Sequence, residues 1–240
     1  MTQPYPVQLL VLAKQPVAGR VKTRLSPALT PETAAAVARA ALSDTLAAVT
    51  AAPVQRRVLV LEGDPQSLPC KGFVVQQQGG GELGERLAAA FTEAYDQCPL
   101  PMLLIGMDTP QVSVPLLAAA AAQLAGGQGP QALLGLAADG GWWALGLPHP
   151  APGAFEGVPM SVATTGLAQQ ARLTQLGLDV RLLPVLRDVD HVDDIAPVAA
   201  QMPTGSAFAR LARTLSLVSA SLVSASLVSA SLVSASLVSA

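Results

Sequence analysis

The chain has 240 residues, of which 51% are apolar and 12% are charged, and its formal net charge is −2. This length and apolar fraction suit one α/β domain with a sizeable core, and they argue against disorder over most of the chain. With 14 basic and 16 acidic residues there is no global positive field for a nucleic acid. We therefore expect no nucleic-acid partner, and we expect any anion to be bound locally.

Short apolar runs alternate with longer segments rich in Ala and Leu. The apolar runs predict strands over Val7–Ala13, Arg57–Leu61, Phe73–Gln76, Met102–Met107, Ala132–Ala137, Trp142–Leu147 and Val180–Pro184. The segments between them predict helices over Pro31–Thr50, Glu82–Tyr95, Val114–Leu124, Ser161–Leu176 and Val192–Met202, the first with Thr30 as N-cap. This alternation predicts a mostly parallel sheet covered on both faces, with ligands beyond the carboxyl ends of its strands.

The last 25 residues, 216–240, repeat SLVSA five times. The segment is uncharged and long enough to span a membrane, but a five-residue period turns a helix by roughly 140° and spreads the serines over every face. We interpret it as a low-complexity tail after a single domain of residues 1–215, with a membrane anchor as the alternative. The apolar run at the amino terminus is too short for the hydrophobic region of a secretory signal peptide. The two cysteines suggest no disulfide framework. These features predict a cytoplasmic protein without a membrane partner.

The segment "AKQPVAGRVKTRL" concentrates basic residues directly after the first predicted strand. Pro16 and Gly19 indicate a turn, and Arg20, Lys22 and Arg24 alternate, so in an extended run their side chains would project to one side. Three cations on one side suit a polyphosphate. A solvated basic loop is the alternative on charge alone, and the glycine spacing of a Walker A loop is absent.

The segment "GGGELGERL" follows the third predicted strand and opens a helix. Gly79, Gly81 and Gly84 formally match GxGxxG, which is typical of dinucleotide binding in an NAD(P)-dependent oxidoreductase. The match lies in the middle of the chain, away from a first βαβ unit. Backbone amides at the start of this helix could bind any phosphate or ribose group.

Three acidic segments follow predicted strands. Asp108 ends the strand in "LLIGMDTP", and a carboxylate there suits a divalent cation bridging diphosphate oxygens, although it could instead cap the next turn. Asp139 precedes two glycines in "AADGGWWALGL". Of the two adjacent tryptophans in this segment, one should face the core and the other the opposite side of the strand, where a substrate could lie. Asp190 in "RDVDHVDDI" is the second metal candidate because it precedes the last helix, whose first turn holds Asp193 and Asp194.

Five segments in this order resemble bacterial glycosyltransferase-like proteins related to the 2-phospholactate guanylyltransferases, within the nucleotide-diphospho-sugar transferase (GT-A) superfamily. The resemblance covers about residues 7–200 and is carried by "AKQPVAGRVKTRL", "GELGERL", "GMDTP", "DGGWWALGL" and "RDVDHVDDI". It implies a three-layer α/β/α fold and a loop after the first strand that wraps the nucleotide phosphates. Arg20, Lys22 and Arg24 would then contact the diphosphate, and Asp108 and Asp190 would hold Mg²⁺ or Mn²⁺.

Three hypotheses about function follow from these patterns. The first is a metal-dependent transferase that acts on a nucleotide-sugar and a small-molecule acceptor, with nucleotidyl transfer as the close alternative. We expect its nucleotide site to comprise Lys14, Gly19, Arg20, Lys22, Arg24, Gly81 and Gly84, and its catalytic residues to be Lys22, Asp108 and Asp139. The second is an oxidoreductase that binds NAD or NADP at Gly79–Gly84. A nucleotide-binding protein without turnover has the same sequence features.

Overall fold

The computed structural model describes residues 3–126, 129 and 131–216. Seven strands form one sheet: β1 (Tyr5–Lys14), β2 (Val54–Glu62), β3 (Val74–Gln77), β4 (Met102–Gly106), β5 (Ala132–Ala137), β6 (Trp142–Leu147) and β7 (Val180–Leu186). Their order is β3-β2-β1-β4-β6-β5-β7. The β6 strand pairs antiparallel with both of its neighbours, and the other pairs are parallel. All seven predicted strands are present.

Helices cover both faces of the sheet, which confirms the predicted three-layer α/β/α fold. They are α1 (Pro31–Ala51), α2 (Leu83–Gln97), α3 (Val114–Ala125), α4 (Thr165–Gln175) and α5 (Val192–Ala199). The β1 strand shows why the layers form, because its side chains alternate between the faces. Leu9 and Val11 join the core under α1 and α3, whereas Leu10 joins the core under α2 and α4.

The strand directions determine which residues share an edge of the sheet. The parallel strands β1, β4, β5 and β7 all end at one edge, so the segments after Lys14, Gly106, Ala137 and Leu186 meet there. Because β6 runs the other way, it is its first residue, Trp142, that lies at this edge. The sequence motifs after these strands are therefore brought together.

Helix boundaries follow the predictions with one notable exception. Thr30 caps α1 as predicted, its hydroxyl accepting a hydrogen bond from the backbone N–H of Thr33 at 3.2 Å. The helix predicted from Ser161 is wrong in its first four residues, since α4 begins at Thr165. Ser161 has a φ of 61°, in the left-handed region that a helix excludes. The last predicted helix ends at Ala199 rather than Met202.

A third apolar cluster lies outside the sheet, between the outer side of α1, α5 and a helix over residues 207–216. The Asp44 carboxylate on α1 accepts hydrogen bonds from the backbone N–H groups of Ala207 and Phe208 at 3.0 and 2.8 Å, so it caps this helix from another element. The predicted tail lies outside the described residues apart from Ser216. The division into a 1–215 domain and a 216–240 tail stays a prediction.

By length and composition, α1 is apolar enough to cross a membrane. However, 56% of its most apolar window is buried inside the protein, where it forms part of two core clusters. This burial is typical of a core helix.

Candidate functional site

A cleft of about 670 Å³ opens at the carboxyl edge of the sheet. Its walls come from the basic segment after β1, the start of α2, the ends of β4 and β5, the residues before α4 and the segment after β7. Of the predicted site residues, it is lined by Lys14, Arg20, Lys22, Arg24, Asp108, Asp139 and Asp190. Four of the five motifs that carry the resemblance place a charged candidate residue in one cavity.

Lys22 lies at the centre of the charged part of this cleft. Its ammonium nitrogen is 2.7 Å from Oδ1 of Asp108 and 2.8 Å from Oδ1 of Asp190, and only 6% of its side chain is exposed. Residues 20–24 are not an extended run, because Lys22 has a φ of 51° and Thr23–Leu25 form a 3₁₀ turn, so the alternation expected for an extended run does not apply. Leu25, fully buried, anchors that turn in the apolar cluster beside α1.

The other cations of the basic segment surround Lys22 less closely. Arg24 donates a hydrogen bond to Oδ2 of Asp190 at 3.0 Å, and Arg20 is exposed at the cleft wall. Lys14 pairs with Glu62 at 3.1 Å, so its charge is partly neutralised. Gly19, with a φ of 75°, turns the chain before Arg20 but does not line the cleft.

Burial and neighbouring charges have opposite effects on the pKa values of Lys22 and Asp190. Burial lowers the pKa of the Lys22 ammonium, but the carboxylates of Asp108 and Asp190 outweigh burial and raise that pKa above its usual value. Burial raises the pKa of Asp190, but Lys22 and then Arg24 lower it below the usual range. Both groups are therefore charged at neutral pH.

Asp188 is a site residue that sequence reasoning missed. It lines the cleft, and its buried Oδ1 has no hydrogen-bond partner within the described part of the chain. Burial, followed by the nearby charges of Asp108 and Asp139, raises the pKa of its carboxyl to about 8. The available signal was its position, because Asp188 is closer than Asp190 to the end of β7.

Backbone hydrogen bonds hold the acidic segments against each other. The backbone N–H of Val189 donates to the carbonyl of Asp108 at 2.9 Å, so the residues after β7 are tied to the end of β4. Val189 is itself fully buried in the cluster beside α1. The Asp194 carboxylate accepts from the backbone N–H groups of Asp190 and His191, which confirms its predicted place in the first turn of α5.

Asp139 is an exposed residue in the turn between β5 and β6. Its Oδ1 accepts a hydrogen bond from the backbone N–H of Gly141 at 2.8 Å. After burial and the charge of Asp108, the charge of Asp139 is the next cause that raises the pKa of Asp188. The carboxylate is therefore within electrostatic reach of the acidic group and open to a bound molecule.

The glycine-rich segment before α2 contributes less than its pattern suggests. Gly81 has a φ of 92°, and the Glu85 side chain accepts from the backbone N–H of Glu82, so a carboxylate of the chain itself caps this helix. Gly84 packs against Phe155 and Met160. Neither Gly81 nor Gly84 lines the cleft, and their nucleotide contacts stay predictions; Arg86, from the same motif, does line it.

The two tryptophans separate as predicted. Trp143 is 2% exposed in the core and donates from Nε1 to the carbonyl of Pro184 at 3.0 Å. Trp142 is half-buried and lines the cleft.

Among residues 3–126, 129 and 131–216, no group of three or more His, Cys, Asp or Glu side chains is arranged to hold a metal ion. The Lys22 ammonium lies between two of the acids instead. Even so, the buried Oδ1 of Asp188, which has no partner among the described residues, and the nearby charges of Asp108 and Asp139 fit a divalent cation with oxygen ligands.

Sequence comparison gives a partial family match. Residues 45–162 match the family DUF2064, described as "Uncharacterized protein conserved in bacteria". No protein of curated function matches the chain significantly.

Solved structures give a clearer result for the fold. A provisionally assigned nucleotide-diphospho-sugar transferase from Desulfovibrio desulfuricans G20 is 26% identical with a TM-score of 0.78, over 87% of this chain and 94% of that one. Rv0371c from Mycobacterium tuberculosis H37Rv is 20% identical with a TM-score of 0.53, over 82% and 98% of the two chains. A cytidylyltransferase from Leptospira borgpetersenii is 12% identical with a TM-score of 0.50, over 90% and 95%. The fold is that of the nucleotide-diphospho-sugar transferases.

Proposed function

We propose that this chain is a metal-dependent transferase that uses a nucleotide-diphospho-sugar as donor and a small molecule as acceptor. The observation that carries the proposal is the contact of Lys22 with both Asp108 and Asp190, beside the buried acid Asp188, in one cleft at the carboxyl edge of the sheet. Cationic and acidic groups side by side suit a diphosphate together with its cation. The similarity to the Desulfovibrio desulfuricans protein supports the same kind of chemistry.

The basic segment would bind the diphosphate. Arg20 and Arg24 have exposed guanidinium groups at the cleft wall, where each can offer a planar pair of donors to phosphate oxygens. Lys22 would add a point charge that its two acids already hold in place. In glycosyl transfer the bond between the sugar carbon and the diphosphate oxygen breaks, and these cations would stabilise the departing nucleoside diphosphate.

Asp108 and Asp188 would hold the divalent cation, Mg²⁺ or Mn²⁺. Both oxygens of Asp190 already accept from cations, one from Lys22 and one from Arg24, whereas Oδ1 of Asp188 has no partner in the described chain. We therefore assign the second ligand position to Asp188 and assign Asp190, our first choice from the sequence, to the orientation of Lys22. When bound, the cation would supply charge neutralisation at the diphosphate.

Asp139 is our candidate for the group that takes the acceptor's proton. Its carboxylate is exposed in the cleft, and among the residues that the structure describes it is hydrogen-bonded through one oxygen to its own turn, so the other oxygen is available to a bound acceptor. A general base must lie within hydrogen-bond reach of the proton that it removes. Asp139 lines the cleft, so an acceptor bound there could come within that reach.

Nucleotidyl transfer is the second candidate. Four cations of the basic segment line one cleft, and a nucleoside triphosphate would use more of them than a diphosphate: Lys14, Arg20, Lys22 and Arg24. Three of them, Lys14, Lys22 and Arg24, would have to share their charge with acids of the chain. The proposed relation to the 2-phospholactate guanylyltransferases also points to nucleotidyl transfer. This reaction would release pyrophosphate. The oxidoreductase alternative fits less well, because Gly79–Gly84 follow the edge strand β3 rather than a central strand.

A thermal-shift panel tests the proposal. UDP-, GDP-, CDP-, ADP- and dTDP-linked sugars and the free triphosphates would be added with and without Mn²⁺, and NAD and NADP alone. We expect at least one nucleotide to raise the Tm in an Mn²⁺-dependent way, and we expect Asp108→Asn to remove that rise while the exposed control Asp96→Asn retains it. Stabilisation by NAD or NADP without metal would refute the proposal.

Turnover assays separate the two transfers. Release of a nucleoside diphosphate from a sugar nucleotide indicates glycosyl transfer, whereas release of pyrophosphate from a triphosphate indicates nucleotidyl transfer. Substitution of Arg20 by Gln should weaken binding of nucleoside diphosphates far more than binding of nucleosides. Equal losses for both would make the basic segment a solvated surface.

A further inference from the structure

One wall of the cleft is apolar. Leu12, Leu83, Trp142 and Met160 all line the cleft, and each is a partly buried side chain packed against the core under α2 and α4. Core and cleft wall are thus one continuous apolar surface. The diphosphate and its cation gain nothing from such a wall, because they are charged. The groups that could use it are the aromatic base of the nucleotide and the second substrate.

The part of the wall at Leu83, Trp142 and Met160 is built from three segments of the chain. Met160 comes from the segment before α4, and its Cε lies 3.6 Å from the place where a Cβ on Gly84 of α2 would be. Trp142 opens β6, directly after the turn at Asp139–Gly141. The start of α2, the segment before α4 and the start of β6 therefore meet around the same space.

Closely packed glycines connect the turn before Trp142 to the segment before α4 that contains Met160. A Cβ on Gly140 would overlap the carbonyl oxygen of Ala163, and a Cβ on Gly166 would overlap that of Gly141. The backbone N–H of Gly166 donates to the carbonyl of Gly140 at 2.8 Å. The hydroxyl of buried Thr165 donates to the carbonyl of Pro159 and accepts from the N–H of Val162, so the segment is held at both ends. The apolar wall is preformed, as ligand sites usually are.

Backbone strain occurs in the same place. Lys22 and Ser161 are the non-glycine residues with a positive φ in the described chain, and both line this cleft. Such conformations persist where the surrounding structure enforces them and are common at ligand sites. Lys22 belongs to the charged part, and Ser161 places a hydroxyl-bearing residue directly beside Met160 on the apolar part.

We propose that the wall formed by Leu83, Trp142 and Met160 is the acceptor subsite, and that it binds an acceptor with an aromatic or aliphatic body rather than a fully hydroxylated one. This inference rests on the proposed function for the meaning of "acceptor". Lys22 and the acids that contact it lie in the segments after β1, β4 and β7. Trp142 begins β6, on the side of β4 away from β1, and only Asp139 of the candidate charged residues lies in the turn before it. A donor bound at the basic segment leaves the Trp142 side for the second substrate. An aromatic ring can stack on Trp142, and stacked aromatic pairs are stabilised beyond the area that they bury.

Two matched probes test the subsite: phenyl β-D-glucopyranoside and methyl β-D-glucopyranoside, which differ only in the aglycone. Affinities would be measured by calorimetry on the full chain. We expect the phenyl compound to bind about tenfold more tightly or better, which corresponds to about 1.4 kcal/mol. Trp142→Ala should abolish the preference, and Trp142→Phe should retain most of it. The control Leu167→Ala, at an exposed side chain on α4, should leave the preference unchanged.

The outcomes separate the subsite from the proposed function. Equal affinities for the two probes, or a preference that survives Trp142→Ala, would overturn the subsite. Loss of phenyl-probe binding when UDP or GDP with Mn²⁺ saturates the protein would also overturn it, because the wall would then hold the nucleoside. A Trp142-dependent preference in a protein that binds no nucleotide would support the subsite and refute the proposed function.

Discussion

The Lys22 ammonium nitrogen lies 2.7 Å from Oδ1 of Asp108, so a cation of the chain itself neutralises the acid to which we assign metal binding. Lys22→Met should therefore leave Asp108, Asp188 and Asp190 without their shared cation. We expect the metal-free protein to lose about 1–3 kcal/mol in free energy of unfolding, since the lysine is buried but Asp108 is partly exposed. Denaturant unfolding in EDTA measures the loss.

The same variant should respond more strongly to metal. Mn²⁺ should raise the Tm of Lys22→Met more than that of the parent, because a divalent cation supplies the missing positive charge. Lys71→Met, at an exposed lysine away from the cleft, serves as the control and should change neither quantity. A Lys22→Met protein as stable as the parent would show that the Lys22 contacts contribute nothing to the fold.

Asp188 should make the metal-free protein less stable as the pH rises. Its pKa is about 8 in the folded chain against an ordinary value of 3.8, so between these pH values the folded state holds a proton that the unfolded state has lost. Stability then falls with rising pH by up to about 1.4 kcal/mol per unit. Asp188→Asn should therefore be more stable than the parent by about 2 kcal/mol or more at pH 8.5, and by less at pH 5.

Urea unfolding in EDTA at the two pH values checks this pH dependence, with Asp96→Asn as the exposed control. A gain of the same size at pH 5 and pH 8.5 would mean that the Asp188 carboxyl does not titrate in this window. The stabilised variant should also lose the Mn²⁺-dependent rise in Tm, since the charge that destabilises the metal-free fold is the one that we assign to the cation.

The fold was predictable because local patterns determine it. The alternation of strands and helices, the cap at Thr30 and the turn at Gly19 are all readable over a few residues. The helix predicted from Ser161 failed because contacts distant in sequence overrode local preference. The turn around Gly140 fixes residues 161–164 in a conformation that the Ala- and Thr-containing sequence does not reveal.

The sequence predicted most of the charged residues that line the cleft, but it missed Asp188, and the functions of all these residues stay predictions. Position after a strand identified Asp108, Lys22 and Asp190, since parallel strands bring such residues to one edge. The distinction between Asp188 and Asp190 depends on which carboxylate receives Lys22, and the left-handed backbone at Lys22 decides that. No short-range pattern in the sequence encodes this conformation.

Asp44 should couple the 207–216 helix to the cleft. Asp44→Ala removes the acceptor for two backbone N–H groups, and we expect a loss of about 1–2 kcal/mol. Phe208 shares an apolar cluster with Leu25, which follows Arg24, and with Val189, which lies between Asp188 and Asp190. Because a loosened cluster would displace these cleft residues, we expect nucleotide binding to weaken as well. Hydrogen exchange should increase over residues 207–216.

Thr30→Ala is a suitable comparison for Asp44→Ala, because it removes a cap of similar value from α1. We expect it to lower stability without selective exchange in the 207–216 helix. If both variants expose that helix equally, Asp44 has no specific role there.

Gly140 should be needed for the acceptor subsite rather than for the fold as a whole. Its φ of 92° disfavours a side chain, and a Cβ would overlap the carbonyl oxygen of Ala163. Gly140→Ala should therefore push the segment that contains Met160 away from Trp142 and weaken binding of phenyl β-D-glucopyranoside about tenfold.

Gly157→Ala is the matched control, because Gly157 also has a positive φ, of 70°, but nothing lies within 4 Å of its Cβ position. Backbone strain destabilises both variants. If both lose a similar amount of Tm but only Gly140→Ala loses probe binding, the contact with Ala163 is the cause. Equal probe binding by the two variants would mean that the packing of these segments does not shape the subsite.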